Sequence, residues 1–292
     1  MPAPLVSVVL ATNRVSPFLA EALGSVREQT LRTEHVVELV VVDDGSPDPA
    51  ALDAALAEFG DLAPVVVRQR SSGLQIARNA GIAVTHGRYV AFLDDDDRWD
   101  PRRLERQVAP LEADRGLTAA YCRFRVVDEG GAGVALSDSH REGRLTASDV
   151  LGDTVSIISP VMLVRRSALD RVGTFHPATE WAEDRDLSFR LALDGDAWWA
   201  DEPLVDYRRH SGSMTNRRQA QWIGTDRVLA LHEGALAASG HVELAEVVSR
   251  TRRRQRLSWS PPRWRVVARA VRRAVRGGSL RVAGPGQEST RA

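Results

Sequence analysis

Nearly continuous apolar runs alternate with amphipathic stretches through the first third of the chain. Residues 5–11, 36–42, 64–67 and 88–93 are such runs, the pattern of strands buried on both faces. Between the first two, Phe18, Leu19, Ala22, Leu23 and Val26 share one face of a helix over residues 16–30. Further helices are predicted at 50–59, after the turn Gly45-Ser-Pro-Asp48, at 73–85 and at 101–114. This β-α alternation with short links predicts a parallel sheet with crossover helices. The middle is different. Residues 119–135 alternate and predict antiparallel strands turning at Glu129-Gly-Gly131. A strand region over 154–164, helices at 166–172 and 184–192, and a strand at 201–207 follow, and beyond Asn216 the pattern is helical.

Two of the runs end abruptly in carboxylates: Val40-Val-Val-Asp-Asp-Gly-Ser46 and Ala91-Phe-Leu-Asp-Asp-Asp-Asp97. Acids at the carboxyl end of buried strands place charge at the rim where open α/β sheets bind ligands. Crowded carboxylates repel and call for a cation. Oxygen ligands favour Mg²⁺ or Mn²⁺, the usual partners of a diphosphate. The pattern points to a metal-dependent enzyme acting on a nucleotide-linked substrate.

Composition adds little until it is divided. The 292 residues suit one large α/β domain plus an extension, and Cys122, the sole cysteine, allows no internal disulfide, consistent with a cytoplasmic protein. The first apolar run lacks a basic leader and no run has the length of a membrane span. The net charge of zero hides a segregation. Residues 1–249 hold 26 Arg against 38 acids, and residues 250–292 hold 13 Arg against Glu288 alone; there is no Lys. Within 262–276, Trp264, Val267, Ala268, Val271 and Val275 form one helical stripe, with Arg265, Arg269, Arg272, Arg273 and Arg276 opposite. Residues 250–276 therefore read as a helix for an anionic membrane surface. A basic helix packed on the protein's own acidic domain is the plainer alternative. Residues 277–292 read as disordered.

Six motifs in order carry a resemblance: Ser7-Val-Val-Leu-Ala-Thr12, Val42-Asp-Asp-Gly-Ser46, Gly73 with Ala77-Arg-Asn79, Phe92-Leu-Asp-Asp-Asp-Asp97, Glu183-Asp-Arg-Asp-Leu187 and Tyr207-Arg-Arg-His210. Over roughly residues 5–215 the chain resembles the family 2 glycosyltransferases, which have the GT-A fold. The resemblance implies a Rossmann-like, mostly parallel sheet flanked by helices. It places a catalytic domain at 1–215, followed by a helical, Arg-rich extension at 216–292.

It also implies site residues. Asp43 and Asp44 would hold the base and ribose of a sugar nucleotide, although an Asx-turn at Asp-Gly-Ser explains one of them equally well. Asp94, Asp96 and Asp97 fill the family's Asp-x-Asp-Asp pattern, with Asp95 at the variable position. Asp94 and Asp96 would touch the donor. Asp96 and Asp97, with His210, would hold the divalent ion, and an imidazole suits Mn²⁺ better than Mg²⁺. Asp184 would be the catalytic base. Its neighbours Glu183 and Asp186 are explained by the helix start alone. Arg78 would reach the diphosphate or base, and Thr12 would lie beside the base. The family's Pro-Thr-Tyr-Asn is here Ala11-Thr-Asn-Arg14, without the aromatic. Trp181 would stack on an acceptor sugar, while Trp198 and Trp199 read as core.

The implied activity is inverting transfer of a sugar from a nucleoside diphosphate sugar, a UDP-sugar first, to a glycan or lipid-linked acceptor. Such a reaction would serve cell-surface glycan synthesis, in the cytoplasm or at the inner face of the membrane. A sugar nucleotidyltransferase would carry a Gly-rich phosphate loop after the first strand, which Ala11-Thr-Asn-Arg14 is not. A non-catalytic membrane or nucleic-acid adaptor would rest on the Arg tail alone, and no nucleic-acid motif accompanies it. No Gly-x-Gly-x-x-Gly follows a strand, against a nucleotide-sugar dehydrogenase.

Overall fold

The computed structural model describes residues 3–258. The amphipathic stretch at 262–276 and the 277–292 segment lie outside the described residues. The first half runs β1 (Val6–Thr12), α1 (Leu19–Arg27), β2 (Val37–Asp44), α2 (Pro49–Ala57), β3 (Val65–Gln69), α3 (Leu74–Val84) and β4 (Tyr89–Asp94). Strands β3, β2, β1 and β4 lie side by side in that order, all parallel, as the βα alternation predicts. All seven residues of β1 are buried, because helices cover both faces. The strand order reverses between β1 and β4, so a crevice opens there at the carboxyl ends. Helix α3 sits close to this sheet through Gly81: a Cβ at that position would lie 2.5 Å from Val9 Cγ1 and 3.0 Å from Val42 Cγ2.

The second half is mixed. It contains β5 (Arg98–Trp99), α4 (Arg103–Ala113), β6 (Ala119–Val127), β7 (Gly133–Leu136), β8 (Gly143–Leu145), α5 (Ala147–Leu151), β9 (Leu163–Arg165), α6 (Arg166–Val172), α7 (Glu183–Asp194) and β10 (Ala197–Arg208). Strand β9 pairs antiparallel with both β4 and β6 and so joins the halves into one ten-stranded sheet. The antiparallel pair expected at 119–135 is β6 with β7. The strand expected over 154–164 is not formed. Ser159–Val161 is a single 3-10 turn containing Pro160, and strand structure begins only at Leu163. Its apolar residues Val155, Val161 and Met162 are buried as loop rather than as strand. Strand β10 begins at Ala197, earlier than expected, and Trp199 is fully buried in it.

Helices α8 (Arg218–Ala238) and α9 (Val242–Ser258) pack back on the α/β body. The buried Asp186 of α7 binds His232 of α8 at 2.9 Å, and Thr251 of α9 donates to the Leu151 carbonyl. Arg252 and Arg256 pair with Asp226, and Arg252 also with Glu233. The first part of the basic run is thus turned onto the protein's own acids. No helix among the described residues is long and apolar enough to cross a membrane.

Candidate active site

The crevice between β1 and β4 forms a cavity of about 340 Å³, bordered by Thr12, Asp44, Gly73, Asp94, Asp95 and Asp96 among others. Asp43 and Asp44 close β2 but do different things. Asp43 turns inward: its Oδ1 accepts from the Ser46 N–H at 2.7 Å and its Oδ2 lies 3.7 Å from Arg68. That is the turn-forming role open to one of the pair. Asp44 borders the cavity and accepts from Gln69 Nε2, Ser72 N–H and Gly73 N–H at 2.7, 2.8 and 3.0 Å. It therefore holds the loop that leads into α3.

The four acids after β4 also diverge. Asp94 binds Arg78 at 2.6 Å. Asp95, at the variable position, is clasped by the Thr12 hydroxyl. Burial pushes its carboxyl up to about 7, with the charges of Asp96 and Asp94 adding to the rise. Asp96 Oδ2 faces His210 Nε2 at 3.0 Å. Asp97 is buried: Oδ1 accepts from the Arg208 N–H at 2.8 Å, while Oδ2 has no partner. Burial, then the neighbouring Asp96 and Asp94, hold Asp97 well above the usual carboxylate range. His210 packs its ring on Phe18, with centroids 5.3 Å apart. Among the described residues no three His, Cys, Asp or Glu side chains form a complete metal shell of their own.

A second cavity of about 530 Å³ adjoins the first, and Tyr207 borders both. Asp184, in the first turn of α7, lines this second cavity together with Trp181, Arg185 and Ser188. Burial raises the Asp184 carboxyl to about 7, and the neighbouring Glu183 raises it further against the pull of the Arg185 N–H, which donates to Oδ1 at 2.7 Å. No side chain caps α7. The acids flanking Asp184 have other work. Glu183 binds Arg78 at 3.2 Å, and Asp186 binds Arg190 and His232. Arg78, only 3% exposed, spends its guanidinium on Asp94 and Glu183 and does not border the first cavity.

Eight of the ten residues singled out in the sequence gather at or just behind the first cavity, and the other two, Trp181 and Asp184, stand in the second. Three participants carried no readable signal. Asp95 looked like a spacer, Glu180 borders the first cavity from the loop before α7, and Tyr207 divides the two cavities. Asp95 and Tyr207 stood inside motifs, but neither was assigned a role there, and Glu180 stood in none.

The family description "Glycosyl transferase family 2" matches residues 7–173, more than half of the chain. Asp184 and His210 lie beyond that span. The putative teichuronic acid biosynthesis glycosyltransferase TuaG of Bacillus subtilis is 25% identical over 220 residues, 74% of this chain and 83% of that protein. Staphylococcus aureus TarS residues 1–349, solved with UDP-GlcNAc, superposes with a TM-score of 0.63 at 20% identity, over 77% of this chain and 66% of that one. A mannosyltransferase from Pyrobaculum calidifontis, solved with GDP-Man and Mn²⁺, gives 0.62 at 18% identity, over 94% of this chain and 81% of that one. The chain spans about two thirds of the length of several relatives. A GT-A fold, a strand-end acidic crevice and the family match converge on one statement: the chain belongs to glycosyltransferase family 2.

Proposed function

We propose that the protein moves a sugar from a nucleoside diphosphate sugar to an acceptor hydroxyl, in a single inverting displacement. The observation that carries the reading is Asp184: a carboxyl poised at about 7, in a cavity that meets the acidic crevice at Tyr207. The crevice suits the donor, with Thr12 and Asp44 at its base side and Asp94–Asp96 at its phosphate side. The second cavity suits the acceptor. There Asp184 takes the acceptor hydroxyl proton as the new C–O bond forms and the bond to the diphosphate breaks. Tyr207 stands where donor and acceptor would meet. Arg78 acts from behind, holding Asp94 and Glu183 in place.

The residues fit a divalent ion. Asp96 and His210 face each other at 3.0 Å, a carboxylate and an imidazole that a cation at the crevice would share, while the unpartnered oxygen of Asp97 is turned inward. With no complete shell among the described residues, diphosphate and water would supply the remaining ligands. Such an ion offsets the charge that develops on the departing nucleoside diphosphate. The mixed oxygen and imidazole set favours Mn²⁺ over Mg²⁺, and Mn²⁺ accompanies GDP-Man in the mannosyltransferase neighbour.

UDP- and GDP-sugars are the first donors to try, since neighbours were solved with UDP-GlcNAc and GDP-Man. A cell-surface glycan, free or lipid-linked, is the acceptor class that the TuaG likeness favours. We place the reaction on the cytoplasmic side of the cell membrane. The test is release of nucleoside diphosphate from a panel of UDP-, dTDP- and GDP-sugars with Mn²⁺. Release from one donor, lost with EDTA and in Asp184→Asn, is expected. Release that persists in Asp184→Asn would remove Asp184 from the mechanism.

A further inference from the structure

Beside the acceptor-side cavity lies a third, apolar groove of about 470 Å³, between α8 and the turn Pro177–Thr179. From α8 it is lined by Ala220, Ile223, Gly224, Arg227, Val228 and Leu231. Those positions fall three to four apart and form one helical stripe. Gly224 and Val228 at the floor of the stripe are buried, but Ile223 is 36% and Leu231 60% exposed, so among the described residues nothing covers its outer edge. Trp181 lines both the groove and the acceptor-side cavity, so the two are neighbours on either side of one residue. Trp181 is fixed there. Its φ is +74°, Arg217 lies over its ring at 5.5 Å, and α8 approaches so closely that a Cβ on Gly224 would be 2.8 Å from the Glu180 carbonyl.

The charge around the groove selects its occupant. Most arginines of the α/β body have a carboxylate partner, but Arg227 in the groove and Arg217 at Trp181 have none among the described residues. Glu180, the one carboxylate in the lining, also borders the donor-side cavity. Two cations free to pair, next to an apolar track, fit an amphiphile with an anionic head. They do not fit the chain's own Arg-rich C-terminal segment, which they would repel.

We propose that this groove seats the apolar chain of an acceptor sugar carried on a lipid phosphate. Arg217 and Arg227 meet its phosphate, and the sugar-bearing end reaches Asp184 past Trp181. The proposal rests on the acceptor reading of the Asp184 cavity and names the acceptor class.

The experiment is binding of farnesyl phosphate to the full chain by calorimetry, with farnesol and inorganic phosphate as separate probes and UDP and GDP titrated in parallel. Ile223→Gln with Leu231→Gln alters only exposed positions, and Arg227→Gln removes one cation. Farnesyl phosphate should bind at least tenfold more tightly than farnesol or phosphate. The double variant and Arg227→Gln should each lose about tenfold, with nucleotide affinity and melting temperature unchanged. Undetectable binding, equal binding of farnesol, or an unchanged Kd in both variants would overturn the proposal. So would a rise in hydrogen exchange over residues 223–231 when 259–292 are deleted, which would make the groove a seat for the protein's own terminus. Nucleotide binding without farnesyl phosphate binding sinks this inference alone. Farnesyl phosphate binding without any nucleotide binding sinks the donor reading instead.

Discussion

Arg78 and Glu183 stand 105 residues apart in sequence and 3.2 Å apart in space. This buried contact ties α3, which borders the acidic crevice, to the first turn of α7, which carries Asp184. With the 2.6 Å contact to Asp94, one guanidinium joins the acidic end of β4 to the helix that carries Asp184.

Removing that guanidinium leaves Asp94 and Glu183 facing each other without their shared cation. Breaking a buried pair from one side costs about 3–5 kcal/mol. Arg78→Met should lose stability of that order in urea unfolding, with the slope unchanged. Arg78→Lys should recover part of it, since one ammonium cannot serve both carboxylates in the fork geometry. A loss below about 1 kcal/mol in Arg78→Met would show that the bridge is not structural.

Asp184, raised to about 7, ionises only as pH rises through that value. A base must be ionised, so kcat/KM should fall tenfold per unit below about pH 7 and level off above it. Stability runs the other way. Between the ordinary carboxylate value and about 7 the unfolded chain has lost the proton that the folded chain keeps, so this group lowers stability as pH rises through the window. Asp184→Asn should then be inactive yet more stable than the wild type at pH 8, by on the order of 2 kcal/mol. Equal melting temperatures at pH 8 would contradict the raised carboxyl.

His210 and Asp96 should be read through metal dependence. His210→Ala is expected to raise the Mn²⁺ concentration for half-maximal turnover by about tenfold or more. Maximal rate at saturating Mn²⁺ should suffer less. Asp96→Asn should lose turnover at every Mn²⁺ concentration. An unchanged Mn²⁺ requirement in His210→Ala would leave the imidazole as a packing partner of Phe18.

Gly81→Ala tests how closely α3 must lie on the sheet. The new methyl meets Val9 and Val42, which are fully buried and have no free direction to yield. Overpacking of this kind costs about 1–3 kcal/mol. Because Arg78 lies one turn away on the same helix, nucleotide affinity should fall as well. Unaltered stability by thermal unfolding would mean that the helix shifts freely.

The parallel half of the fold was readable because strands covered on both faces are apolar throughout, as β1 is. Residues 154–164 misled because a buried loop has the same apolar composition as a strand, and Pro160 breaks it. Strands β5 and β8, two and three residues long, are too short to carry a period. Helix α5 had a readable start in the Thr146 and Asp149 capping box. The acidic clusters marked the crevice, but not which oxygens face it. That Asp43 and Asp97 turn inward while Asp44 and Asp96 face the cavity depends on Ser46 and Arg208, whose approach only the tertiary fold decides. The Arg78–Glu183 contact needs α7 to fold back across the sheet, and no local pattern announces it.

Tyr207 as a shared wall has an evolutionary consequence. The donor crevice draws mainly on residues before 97, while the facing cavity draws on β6, the 150–158 segment, α7 and α8. The two cavities, and the two selectivities proposed for them, are encoded in largely separate stretches of gene. On the proposed reading, drift or recombination downstream of β4 would hand the enzyme a new acceptor while leaving its sugar nucleotide untouched.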